Sequence, residues 1–231
     1  MSARDVRNEL KSLSDPEKAK ILQRFFKTGP GQYGEGDIFV GVMVPKSRLV
    51  AKKFGDLPLE EIETLLKSKV HEERLVALLI LIQKYARAPD KKEIFDFYVL
   101  NANRINNWDL VDLSAPNILG AHLIERDRRL LYRLAKSDSV WERRMAIVAT
   151  LCFIRNNDFA DTLKIAEMLL QDTHDLIHKA TGWMLREVGK RDLVVEEEFI
   201  AKHCRVMPRT MLRYAIERFP ESKKRRYMME R

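Results

Sequence analysis

Val70-His71-Glu72-Glu73-Arg74-Leu75-Val76-Ala77-Leu78 is followed 70 residues later by Val140-Trp141-Glu142-Arg143-Arg144-Met145-Ala146-Ile147-Val148. Midway between them lies Ile105 to Leu113, a further 35 residues on lies Asp175 to Trp183, and a degenerate copy runs from Thr210 to Arg218. One column of this alignment holds Leu75, Leu110, Met145, Ala180 and Ala215, which reads as a buried stripe. A period of 35 residues carried by two helices each predicts an all-α fold, an α-solenoid of HEAT-like helical repeats. One pair of helices cannot bury its apolar face alone, so neighbours stack and leave a long concave surface suited to an extended partner.

Outward from the repeats, the chain is expected to form a single domain over residues 1–231: N-terminal helices and a glycine-rich loop in 1–44, helical repeats in 45–219 and a basic tail in 220–231. Ser14-Asp15-Pro16-Glu17 reads as a helix start, with a cap residue ahead of a first-turn proline. Thr28 to Asp37 holds four glycines and a proline and reads as a loop. Within it Gly29, Gly31 and Gly34 spell GxGxxG, but the match follows a helix instead of a strand and opens no helix, so nucleotide binding is not supported.

The balance of 42 Lys and Arg against 34 Asp and Glu gives a net charge of +8, which suits a polyanionic partner. Lys223-Lys224-Arg225-Arg226 supplies part of that excess and reads as a solvated tail. Cys152 and Cys204 are isolated, as in a reduced, cytoplasmic protein, and no apolar run is long enough to span a membrane. His174 and His178 lie four apart without the glutamate of an HExxH site or an evident third ligand, so no metal is expected. No serine or cysteine has the setting of a hydrolytic nucleophile.

Another column holds Ala77, Asp112, Ile147, Gly182 and, in the degenerate copy, Glu217; Asp112 stands out there as an acid where the repeat expects a core residue. Trp108 is four residues earlier and shares its helical face. Two readings stand at this point: Asp112 as a structural cap or ion-pair partner, or as a chemical group beside an indole. Arg143, Arg144, Lys179 and Arg213 recur on similar faces of later copies, either as phosphate contacts or as a solvated surface.

Asn107-Trp108-Asp109-Leu110-Val111-Asp112, Val140 to Ile147 and Lys179 to Glu187 resemble the three signature segments of AlkD-type DNA alkylation repair glycosylases. The similarity covers nearly the whole chain, including Arg24-Phe25-Phe26-Lys27 leading to Gly41-Val42-Met43-Val44-Pro45. The resemblance implies a concave DNA-binding face and removal of N3- and N7-alkylated purines from duplex DNA by a monomer, without a nucleotide or other cofactor. It implies Asp112 as the catalytic carboxylate, Trp108 and Trp183 as sugar-facing indoles and Arg144 as the phosphate contact; Arg143, Lys179 and Arg213 are further DNA-contact candidates. Phe25 stands where relatives carry tyrosine, the Gly29 to Asp37 loop is long and glycine-rich, and Asp175-Leu176 replaces expected aromatics. The alternative within the same superfamily is a non-catalytic protein that binds branched or damaged DNA. A protein-binding scaffold is the third reading.

The chemistry accounts for these residue types. An alkylated purine is cationic and leaves readily, so the sugar left behind is what needs stabilising. A carboxylate close to a sugar acquiring oxocarbenium character stabilises that charge and orients water. Indole faces add cation–π attraction.

Overall fold

A computed structural model describes residues 1–229 of the chain. Those residues form helices joined by loops, with no β-strand beyond an isolated bridge between Ile38 and Val70. No helix among them is long and apolar enough to cross a membrane. The chain packs as two compact units, Met1–Ser114 and the residues from Ala115 onward.

In the first unit α1 (Ala3–Ser12), α2 (Pro16–Phe25), α3 (Val44–Lys53), α4 (Leu59–Leu66), α5 (His71–Arg87), α6 (Lys91–Leu100) and α7 (Trp108–Ser114) follow one another. Asp15 caps α2 as its sequence predicts: its Oδ1 accepts from the N–H groups of Glu17 and Lys18, and Pro16 occupies the first turn. The central element is α5, against which α1, α3, α4, α6 and α7 all pack. Its run from Leu75 to Leu81 is buried on every side, as an all-round apolar helix must be. The loop between α2 and α3 lies over the start of α5, where the buried Glu72 carboxylate accepts from the N–H groups of Val40, Gly41 and Val42 at 2.8–3.2 Å. Gly41 is required there: its φ is +86°, and a β-carbon would sit 2.0 Å from the Asp15 carbonyl oxygen.

In the second unit a π-helical turn, Pro116–Gly120, leads into α8 (Ala121–Leu123), α9 (Arg129–Leu134), α10 (Val140–Ala149), α11 (Leu151–Arg155), α12 (Ala160–Met168), α13 (Asp175–Gly189), α14 (Leu193–His203), α15 (Arg209–Ala215) and α16 (Glu221–Met229). Here α13 is central, packed by α10, α12, α14 and α15. Gly182 lets α15 approach closely, since a β-carbon would lie 2.4 Å from the Met211 carbonyl oxygen and 2.6 Å from Tyr214 Cβ.

The helices α5, α7, α10, α13 and α15 begin at residues 71, 108, 140, 175 and 209, each within three residues of the 35-residue ladder starting at Val70. The column Leu75, Leu110, Met145, Ala180 and Ala215 is buried throughout, as its composition predicts. The basic C-terminal run differs from a solvated tail. It forms α16, whose Tyr227 is buried and donates to Glu197 while Lys223 pairs with the same carboxylate at 2.6 Å. The last two residues of the expected tail lie outside the described residues.

Candidate nucleic-acid interface

The first turn of α7 carries the first group of candidate residues. Trp108 and Asp112 are both half-buried on this seven-residue helix, and Asp112 has an interaction partner within the chain. So short a helix has little stability of its own, so its orientation comes from tertiary contacts. The Trp108 indole stacks on Phe26, with centroids 5.3 Å apart and planes 15° apart, and meets the edge of Phe25 at 6.0 Å. Phe26 is 7% exposed, whereas Phe25 is 62% exposed and presents its ring beside Trp108. Offset aromatic pairs of this kind contribute about 0.5–1.5 kcal/mol beyond area burial.

Beneath these rings lies a polar cluster that the repeat alignment does not reveal. Arg74 is 3% exposed; its Nη2 donates to Asp37 Oδ1 at 2.6 Å and its Nη1 to the Ser68 carbonyl at 2.8 Å. It shares a repeat column with Arg144 and Lys179, and here it anchors the glycine-rich loop. His71 reaches Asp37 through Nδ1 and Asp109 through Nε2, while Asn107 Nδ2 donates to Asp37 at 3.1 Å. Burial alone raises the Asp37 carboxyl, but the His71 hydrogen bond, the Arg74 charge and the Asn107 amide outweigh it and hold Asp37 below the usual carboxylate range. The partners of this cluster are 34 and 38 residues from His71. The one available signal is Asp109 standing in the Arg74 column, a charge reversal in register.

In the second unit Trp183 is half-buried on α13, and its Nε1 donates to Glu187 Oε1 at 3.0 Å. It lines a cleft of about 320 Å³ together with Leu151, Ile154, Arg155, Glu187, Lys190 and Arg191. Lys190 pairs with Glu187, the same carboxylate that accepts from the Trp183 indole, and Arg191 donates to Asn157 Oδ1.

The remaining cations differ in freedom. Arg144 is 5% exposed and donates through Nη1 to the Leu176 carbonyl. Arg143 Nε pairs with the buried Asp172 at 2.6 Å and its Nη1 donates to the carbonyls of Ser137 and Asp138, so this guanidinium knits α10 to the turn before α13. Lys179 pairs with Asp175 at 2.6 Å, and Arg213 is exposed with only a long contact to Thr210 Oγ1. His174 and His178 belong to the start of α13: His174 Nδ1 accepts from Leu176 N–H, and His178 Nε2 meets the Asp172 carbonyl. The glycines of the GxGxxG match lie in the loop after α2 and open no helix.

The comparisons point one way. A solved structure described as a predicted DNA alkylation repair enzyme from Enterococcus faecalis superposes with a TM-score of 0.74 over 90% of this chain and 97% of its own; at 20% identity the likeness shows the fold. No curated protein matches the sequence. The sequence profile of the family described as DNA alkylation repair enzyme matches residues 6–219. With nearly the whole length covered in that way, the chain belongs to the DNA alkylation repair enzyme family.

Proposed function

We propose that this chain is a monofunctional DNA glycosylase that hydrolyses the N-glycosidic bond of N3- and N7-alkylated purines in duplex DNA. Family membership gives it a role in the repair of alkylated DNA. The observation that carries the finer reading is the pairing on α7: an acid and an indole one turn apart, both half-buried, with the inner face of the indole backed by Phe26. In this reading Asp112 stabilises the positive charge that grows on the deoxyribose and orients the attacking water. Trp108 supplies an electron-rich face, and the same chemical role is proposed for the Trp183 indole.

Arg144, 5% exposed and donating to the Leu176 carbonyl, is proposed as the phosphate anchor on the strength of its motif, and Arg213, exposed on α15, as a backbone contact. Arg143 and Lys179 are weaker contacts because each already holds a carboxylate. Phe25 lies against the DNA beside Trp108. The glycosidic bond of a cationic purine is already weak, so a carboxylate and two indoles meet the chemical need without a cofactor. Base release from methylated duplex DNA, with Asp112→Asn run alongside, tests the assignment. Retained DNA binding with release lowered by orders of magnitude supports it, and unchanged release defeats it.

A further inference from the structure

His71 opens α5 and faces a carboxylate at each ring nitrogen: Nδ1 lies 3.1 Å from Asp37 Oδ2, and Nε2 lies 2.8 Å from Asp109 Oδ2. A neutral imidazole has one N–H and one lone pair, so in either tautomer one nitrogen would direct its lone pair at an oxygen anion. Only the imidazolium, with two N–H donors, satisfies both. The charges around the ring agree. Asp37 faces it from the loop, Asp109 from α7 and Arg74 from α5 itself. Glu73 is paired with Arg7 of α1 at 2.8 Å, and the Glu72 carboxylate is hydrogen-bonded by the loop amides. With His71 protonated, the two acids and two bases of the cluster sum to zero; without the proton a buried negative charge is left over.

The ring is also part of the aromatic stack under Trp108. Phe39 lies 4.5 Å from the imidazole and Phe26 5.0 Å from it, and Phe26 in turn stacks on Trp108. Asn107, the residue before α7, donates to Asp37 and accepts from the Trp108 N–H at 2.8 Å. Two tethers therefore converge on the first turn of α7, one through Asp109 and one through Asn107, and both run back to His71 and Asp37.

We propose that His71, held as an imidazolium between Asp37 and Asp109, is the positioning residue that fixes the first turn of α7 against the glycine-rich loop and so sets Trp108 and Asp112. The inference rests on the reading of Asp112 as the carboxylate that stabilises the sugar. Burial opposes the charge on His71, but the hydrogen bonds to Asp109 and Asp37 outweigh it, so the proton is held above the usual histidine range. Loss of that proton at alkaline pH breaks the charge balance and releases the first turn.

Ring-nitrogen NMR of histidine-labelled wild-type protein tests the protonation directly. Both His71 nitrogens are expected to be protonated at neutral pH, and a neutral ring there overturns the proposal. Single-turnover base release with protein in excess, from about pH 6 to about pH 9, is then compared for wild type, His71→Gln and His71→Gln/Asp109→Asn. His71→Gln leaves the cluster with one net negative charge; release is expected to fall on the order of tenfold to a hundredfold, as misplacement of a reacting group does, with DNA affinity changed much less. The double variant restores neutrality, so most of the rate should return while the alkaline decline expected of wild type disappears. A purely structural histidine would leave the double variant no better than the single one. A wild-type pH profile in His71→Gln overturns the proposal. Failure of the glycosylase reading looks different: wild type then releases no base, and the NMR result together with the pH dependence of Trp108 fluorescence decides the His71 assignment alone.

Discussion

Glu196, on α14, is 2% exposed, and its Oε1 has no hydrogen-bond partner. Burial dominates its environment; Arg186 offsets part of the cost and Glu197 adds to it, and the carboxyl is pushed up to about 8. At neutral pH the folded protein therefore carries this side chain as a neutral acid, while the unfolded chain ionises it near the usual value of about 4.3. Between those two values the native state holds the extra proton, so stability falls as pH rises and levels off above the folded value. A difference of about 3.7 units at about 1.4 kcal/mol each sets a ceiling of about 5 kcal/mol. Relaxation and water penetration reduce it, so a loss of about 2–5 kcal/mol across the window is expected.

Glu196→Gln replaces the protonated acid with a neutral group of the same shape. Thermal unfolding followed by circular dichroism at a series of pH values reads the outcome. Wild type and variant should agree near pH 4, and the variant should melt higher near pH 8.5, by roughly 2–4 °C per kcal/mol for a chain of this size. His71, whose folded affinity for a proton is raised, also contributes stability that is full below its unfolded value and is lost as pH rises through the folded one. That slope is common to both proteins, so only the difference between the curves reports Glu196. Parallel curves at all pH values would refute the burial argument.

Further outcomes follow from the same contacts. Glu72→Ala strands the N–H groups of Val40, Gly41 and Val42, and hydrogen exchange should show these amides losing protection while α13 keeps its own; unchanged protection contradicts the clamp. Gly182→Ala places a methyl against the backbone of α15 and should cost about 1–3 kcal/mol in urea unfolding, whereas an unchanged midpoint would mean that α15 shifts freely. Arg213→Ala should leave the melting temperature alone and lower the slope of log binding constant against log salt by about 0.9. Arg143→Ala should instead lose stability through its severed pair with the Asp172 carboxylate and lower that slope by less; a pattern opposite to these two removes the division between DNA-facing and structural cations.

Much of the fold is legible in the sequence because the repeat writes its core in a fixed register. Leu75, Leu110, Met145, Ala180 and Ala215 share a column and are all buried, and Asp15 with Pro16 announces the start of α2 by local chemistry alone. Trp108 and Asp112 stand out in the same way, as departures from the register. The cluster of Asp37, His71, Arg74, Asn107 and Asp109 is invisible to periodicity, because its members come from a loop and two helices and meet only through folding. The burial of Arg74 and Glu72 is hidden for the same reason: both are long polar side chains whose burial depends on partners distant in sequence. The C-terminal run is a third case, where four cations obscured the single tyrosine that seats α16.

The central claim is that the Asp112 carboxylate stabilises positive charge on the sugar. Its most direct test is the single-turnover rate of 7-methylguanine release from duplex DNA by wild type and Asp112→Asn at matched saturation. The account predicts unchanged duplex affinity and a rate lower by about 10²–10³, the usual loss when one preorganised charge-stabilising group is removed. Equal rates for the two proteins would contradict it.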